Sequence, residues 1–247
     1  MWMLLHGFMG SPRSWERVLA ASKLPDEPSA PLLMGHGGDW KGKRVASFEE
    51  EVSRLLAIAT TMTPPRYLCG YSMGARVALG MLVSGSDLFE GAILVGVHPG
   101  LDDVEARAAR RAADAKRARD LRRRGLVAFV DAWEDQPLFT SQRGLPAATL
   151  GAQRQIRLSH DAEGLAACLE VLGLAEMPSF GAALSSLEIP ITLVAGARDT
   201  KFATIAQNLS SEAHLPQIVE GVGHNVVLEA SEAMAMALKT MEQRIHG

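Results

Sequence analysis

Unbroken apolar runs recur along the chain: Trp2-Met3-Leu4-Leu5, Pro31-Leu32-Leu33-Met34, Tyr67-Leu68-Cys69, Gly91–Val97, Ile189–Ala195 and Leu215–Val219. Runs of this length without alternation predict strands buried on both faces, the signature of a parallel sheet. Between them the apolar positions recur at helical spacing. Pro12–Ala21 carries Trp15, Val18 and Leu19 on one side, and Phe48–Met62 carries Val52, Leu55, Leu56 and Ala59. Ser47-Phe48-Glu49-Glu50 reads as a capping box opening that second helix, and Pro64-Pro65 stops it. Ala75–Val83 predicts a buried helix and Ser231–Ile245 a terminal one. From His98 to about Ser186 the strand pattern vanishes, leaving charged helical stretches broken by Gly and Pro. The expectation is an α/β protein with a doubly wound, mostly parallel sheet. Its core spans 1–97 and 187–247, and residues 98–186 form an inserted helical cap. Ligands of such sheets bind beyond the carboxyl ends of the strands.

The chemistry-bearing residues fall at those ends. Gly70-Tyr71-Ser72-Met73-Gly74 lies between a strand and a helix, the context of the nucleophile elbow of an α/β-hydrolase fold. A turn that sharp strains the serine and brings strand and helix together, which requires glycine on both sides. The Ser72 hydroxyl then stands at a helix N-terminus, where the Met73 N–H favours developing negative charge. Strand 2–5 runs into His6-Gly7-Phe8-Met9-Gly10, the position of a second oxyanion donor, here the Phe8 N–H. A serine hydroxyl becomes reactive when a histidine accepts its proton and a carboxylate orients that histidine. Asp199 follows strand 189–195, and His224 follows the last strand. This is the order Ser, Asp, His of the fold. Of the seven histidines only His224 has that placement; His6 and His36 belong to Gly-rich turns, His214 precedes a strand, and His160 and His246 have no motif around them. Asp199 also has an alternative reading as a helix N-cap ahead of Thr200-Lys201-Phe202.

A net charge of −3 argues against nucleic acid or an anionic membrane as partner. The two cysteines, Cys69 and Cys168, form no disulfide framework, and the Met1–Leu5 start lacks the basic region of a secretion signal. The expectation is a cytoplasmic protein, monomeric or a small homo-oligomer. Against the overall charge, Asp102–Arg124 holds nine Lys and Arg side chains and five acidic ones. Most of these belong to a solvated helix, with Asp103–Arg107 and Asp120–Arg124 at the favourable i,i+4 spacing. Those pointing into a cleft would suit a small polyanion, because guanidinium forks bind carboxylates bidentately.

The chain resembles the 2-succinyl-6-hydroxy-2,4-cyclohexadiene-1-carboxylate synthase family of the α/β-hydrolase superfamily over most of its length. The resemblance is carried by Leu5–Phe8, Gly70–Ala78 and His98-Pro99-Gly100-Leu101 leading into the Arg107/Arg110 helix. Trp133, Gln136–Phe139, Gly196–Phe202 and Gly223-His224-Asn225 continue it. It implies a lyase of menaquinone biosynthesis that eliminates pyruvate from a tricarboxylate cyclohexene without a cofactor or metal. The family's binding residues fall on Tyr71, Arg76, Arg110 and Trp133, and its second cap arginine on Arg157, with Arg154 one turn away as the alternative. The rival reading is a serine hydrolase of an ester, thioester or C–C bond in a small anionic substrate. A retired fold that only binds ligand is a third, and a complete Ser-Asp-His set argues against it.

Overall fold

The first strand, β1 (Trp2–Leu5), is fully buried, as its unbroken apolar sequence requires. The computed structural model describes residues 1–246; the side chains of Lys43 and His246 lie outside what is described. After a 3-10 turn at Pro12–Trp15 come α1 (Glu16–Ser22) and α2 (Phe48–Thr60). The elbow strand β2 (Tyr67–Tyr71) leads into α3 (Met73–Gly85), and β3 (Gly91–Val95) follows. From Val95 to Ile191 the chain is helix, turn and loop: α4 (Val104–Glu134), α5 (Ala147–Leu158), α6 (Ala162–Leu172) and α7 (Gly181–Ser185). Then come β4 (Ile191–Gly196), α8 (Thr200–Asn208), β5 (His214–Val219), α9 (Val226–Glu229) and α10 (Ser231–His246).

The five strands are all parallel and lie in the order β1-β2-β3-β4-β5. Side chains alternate between two cores. Met3, Leu5, Leu68, Leu94 and Leu193 pack against α2 and α3, while Trp2, Leu4, Tyr67, Ile93 and Val194 pack against Trp15, Val18 and α10. A third, smaller core joins the insertion to the sheet edge through Met9, Leu121, Phe129, Leu165 and Leu169.

Three local expectations need correction. Pro31–Met34 is not a strand; among the described residues the nearest sheet-type pairing is a single bridge between Met3 and Ser29, just ahead of it. Side chains take its backbone groups instead. His6 Nε2 accepts from the Leu33 N–H (3.2 Å), Glu51 Oε1 accepts from the Met34 N–H (2.9 Å), and Arg54 donates to the Leu32 carbonyl (3.0 Å). Those bonds take the Leu33 and Met34 N–H groups and the Leu32 carbonyl that a ladder would need. The box at Ser47 closes one residue early. Ser47 Oγ accepts from the Glu50 N–H (3.2 Å), but the Glu50 carboxylate accepts from Ala46 (2.8 Å). The i,i+4 pairs in α4 are replaced: Asp103 caps the helix through the Ala106 N–H, Arg107 donates to the Leu101, Ala175 and Met177 carbonyls, and Asp120 faces Lys116 and Arg123. Gly125, at φ 78° and ψ 168°, breaks α4 into two segments at the end of the basic stretch.

Candidate active site

Ser72 sits between β2 and α3 at φ 53° and ψ −107°, a conformation an L-residue adopts only when its surroundings enforce it. The flanking glycines are steric necessities. A Cβ on Gly70 would lie 2.4 Å from the Gly74 carbonyl oxygen, and one on Gly74 would lie 2.3 Å from that of Leu5. The Ser72 N–H is anchored to the Val95 carbonyl (2.8 Å), fixing the turn to the neighbouring strand.

His224 bridges the serine to a carboxylate. Its Nε2 lies 2.9 Å from Ser72 Oγ, and its Nδ1 lies 2.6 Å from Asp199 Oδ2. Asp199 also serves as the N-cap of α8, its other oxygen accepting from the Phe202 N–H (3.4 Å). Both readings of Asp199 hold, one for each oxygen. Asp199 and His224 are buried, and the Phe202 ring lies 4.7 Å from the imidazole. Such a chain lets the serine oxygen act as base or nucleophile while the imidazole carries the proton.

The two residues expected to supply backbone donors are Phe8 and Met73. Met73 is the first residue of α3, so its N–H has no acceptor within the helix. The Phe8 N–H has no acceptor among the described residues, and Phe8 and Met73 both line the cavity that holds Ser72.

That cavity, about 270 Å³, is also lined by Arg76, His98, Arg110, Arg117, Lys201 and Trp133. A neighbouring one of about 280 Å³ reaches Arg13, Arg17 and Arg157, and the two share Phe8, Tyr71, Trp133 and Phe139. Arg76 is buried, donates to the Leu172 carbonyl (2.9 Å), and has its pKa lowered to about 10 by burial and by Arg110. Arg110 donates its Nε to the buried Asp114 (2.6 Å), which also accepts from Arg117 (2.8 Å). His98 is lowered to about 4, first by burial and then by the charges of Lys201, Arg76 and Arg110. The reaction cavity is therefore cationic. Arg157 is buried, bonded to Glu134 (2.8 Å) and 5.4 Å over the Phe139 ring. Arg154 pairs with Asp131 and Glu134 and lines neither cavity. Trp133 stacks at 5.9 Å on Phe129 and meets Phe8 edge-on at 5.1 Å. Tyr71, its phenol pushed up by burial, lies 5.6 Å from the His224 ring.

Sequence reasoning singled out every member of the Ser72 chain and seven further residues of the two cavities, and missed Lys201, His98, Arg117 and Asp114. Lys201 carried a usable signal: it stands two residues beyond Asp199, on the first turn of a helix that starts at the site. Asp114 and Arg117 carried none, because nothing in a basic helix marks which turn faces inward.

This sheet, its strained elbow and the Ser-His-Asp chain define an α/β-hydrolase-type protein. A model described as "Alpha/beta hydrolase family" matches residues 3–237. The chain is 36% identical over 241 residues to the 2-succinyl-6-hydroxy-2,4-cyclohexadiene-1-carboxylate synthase of Enterobacter sp. (strain 638), covering 96% of this chain and 90% of that one. It is 34% identical over 228 residues to the synthase of the same name from Salmonella heidelberg (strain SL476), covering 90% and 86%. In three dimensions it matches the solved structure of MenH from S. aureus with a TM-score of 0.92 at 27% identity, over 100% of this chain and 94% of that one. A thermophilic esterase from Thermogutta terrifontis, solved with malate bound, matches with a TM-score of 0.78 at 26% identity, over 100% and 90%. The chain belongs to the alpha/beta hydrolase family and, within it, to the 2-succinyl-6-hydroxy-2,4-cyclohexadiene-1-carboxylate synthase family. Among the described residues no helix is long and apolar enough to cross a membrane, and no group of His, Cys, Asp and Glu converges as metal ligands.

Proposed function

We propose that the protein is a carbon–oxygen lyase of menaquinone biosynthesis. It converts 2-succinyl-5-enolpyruvyl-6-hydroxy-3-cyclohexene-1-carboxylate into 2-succinyl-6-hydroxy-2,4-cyclohexadiene-1-carboxylate and pyruvate. The observation that carries this reading is the opening of the Ser72–His224–Asp199 chain into a cavity lined by Arg76, Arg110 and Lys201. A hydroxyl made basic inside a cationic cavity is what proton abstraction from a tricarboxylate requires.

Ser72, relayed through His224, takes the ring proton α to the succinyl ketone. The ketone oxygen, now an enolate, accepts the Phe8 and Met73 N–H groups, donors of a kind worth about 10²–10³ in rate each. Its electrons return through the ring double bond, shift it, and break the carbon–oxygen bond on the far side of the ring. The departing enolate of pyruvate receives the proton held on His224, so the elimination consumes no water. Arg76, Arg110 and Arg157 hold carboxylates, and Trp133 and Tyr71 form walls against the ring. No metal or cofactor takes part, and the partner is the small polycarboxylate itself.

Purified protein given the enolpyruvyl substrate, with pyruvate read by lactate dehydrogenase, tests this directly. Pyruvate release at enzyme-dependent rates is expected, and none in folded protein would overturn it.

A further inference from the structure

The oxyanion loop has an unusual residue at its tightest point. The Gly10 N–H returns to the Gly7 carbonyl (2.9 Å), so Gly7–Gly10 forms a four-residue turn with Phe8 and Met9 at its centre. Met9 stands at φ 59°, a position that in such turns favours glycine. Methionine does not choose this conformation, so something must hold it. The Met9 N–H donates to His36 Nε2 at 3.0 Å.

His36 is itself fixed. It is fully buried between Gly35 and Gly37, both at positive φ, and its Nδ1 faces the Met34 carbonyl at 3.1 Å. Nδ1 therefore carries the hydrogen, which leaves Nε2 as the acceptor that Met9 needs. Its ring meets Phe8 edge-on at 5.9 Å, His6 at 4.7 Å and His160 at 5.1 Å. His160, at the junction of α5 and α6, accepts from the Gly37 N–H (3.0 Å), while His6 accepts from Leu33. A Cβ on Gly35 would lie 2.2 Å from the Gly164 carbonyl oxygen of α6. The 33–37 segment is thus wedged between the helical insertion and the oxyanion loop.

We infer that His36 is a positioning residue for the reaction: by accepting the Met9 N–H it locks the turn that aims the Phe8 N–H at the developing oxyanion. The inference rests on the oxyanion role given to Phe8 above. The His36 imidazole touches no substrate and acts only through the loop. Burial holds it well below the ordinary histidine range, so it stays a neutral acceptor at neutral pH.

The test uses three variants of the full chain that differ in which imidazole nitrogen they imitate. His36→Gln places an amide oxygen near Nε2 and keeps the Met9 acceptor. His36→Asn reaches only as far as Nδ1, and His36→Leu supplies neither. Each is assayed well below its own melting temperature, in two ways. The first is kcat and KM for pyruvate release. The second is the rate of Ser72 phosphorylation by diisopropyl fluorophosphate, read by intact mass. There the serine oxygen displaces fluoride and the phosphoryl oxygen uses the same donors, whatever the natural substrate is. The Asn and Leu variants should lose about 10-fold or more in kcat and in phosphorylation rate, with KM within about threefold, and Gln should return most of the loss. Equal rates in Gln, Asn and Leu variants, or a change confined to KM, would overturn the inference. Should wild-type protein release no pyruvate, the proposed function fails, while the phosphorylation rates still decide the role of His36. The Asn variant keeps the Met34 contact, so the test stands if the Leu variant does not fold.

Discussion

Asp199 and His224 meet at 2.6 Å, and the same aspartate caps α8 with its second oxygen. One carboxylate thus sets the imidazole tautomer and terminates a helix. The two tasks separate by mutation. Asp199→Asn can still cap the helix, but its amide N–H faces Nδ1 and forces the hydrogen onto Nε2, where it can no longer accept the serine proton. Activity should fall by about 10⁴ with the melting temperature nearly unchanged. Asp199→Ala should lose as much activity and also about 1 kcal/mol of stability with the cap. Thermal melts beside kcat check both.

The carboxylate clamps predict a graded arginine series. Arg110→Ala and Arg157→Ala each remove a charge-assisted partner worth roughly 1.5–3 kcal/mol, so kcat/KM should drop at least about 10-fold. Arg154→Ala, whose guanidinium pairs with Asp131 and Glu134 outside both cavities, and Arg123→Ala, 81% exposed, should stay within about twofold. Equal losses from all four would point to a general field in place of specific clamps.

Glu51 is a buried carboxylate whose partners are the Met34 N–H and Arg54 (2.7 Å). Glu51→Ala leaves a half-buried guanidinium and an orphaned N–H, so stability should fall by roughly 3 kcal/mol, read from urea unfolding. This contact also explains what the sequence concealed. The elbow was legible because Gly70 and Gly74 answer a steric demand that only glycine meets, and that demand is written in the local spacing. Pro31–Met34 was misread because its apolar pattern is that of a strand, while its hydrogen-bond partners, His6 and Glu51, are 27 and 17 residues away. In α4, a largely solvated and ion-paired helix as expected, the Asp103–Arg107 and Asp120–Arg124 pairs fail for the same reason. Arg122 pairs with Glu163 and Glu170 on α6, and Arg111 with Glu176, partners that i,i+4 spacing cannot reveal. His36 looked like part of a glycine-rich turn because its value lies in a contact 27 residues back.

Acid should destabilise the fold before ordinary carboxylates titrate. Burial lowers His6 to about 4, and His36 and His160 are lowered as well. Each binds a proton in the unfolded chain near pH 6.5 but resists it when folded. Their contribution is therefore complete above pH 6.5 and is lost as pH falls below it, for His6 through about pH 4. For His6 that window corresponds to roughly 3 kcal/mol. Urea midpoints measured from pH 7.5 to 4.5 should fall steeply, and less steeply in His6→Gln. An identical slope in the variant would remove His6 from the account.

Elimination and acyl transfer both use Ser72, Asp199 and His224, so mutating those residues cannot distinguish the two. They differ in what the serine oxygen does. Acyl transfer leaves an ester on Ser72 for water to cleave, whereas elimination moves only a proton. The deciding measurement is turnover of the enolpyruvyl substrate in oxygen-18 water, with intact-protein mass followed through the steady state. Elimination leaves the protein unmodified and, after allowing for the exchange of pyruvate's own carbonyl with water, no label fixed by the catalysed step. An adduct on Ser72, or label in a newly formed carboxylate, would contradict it.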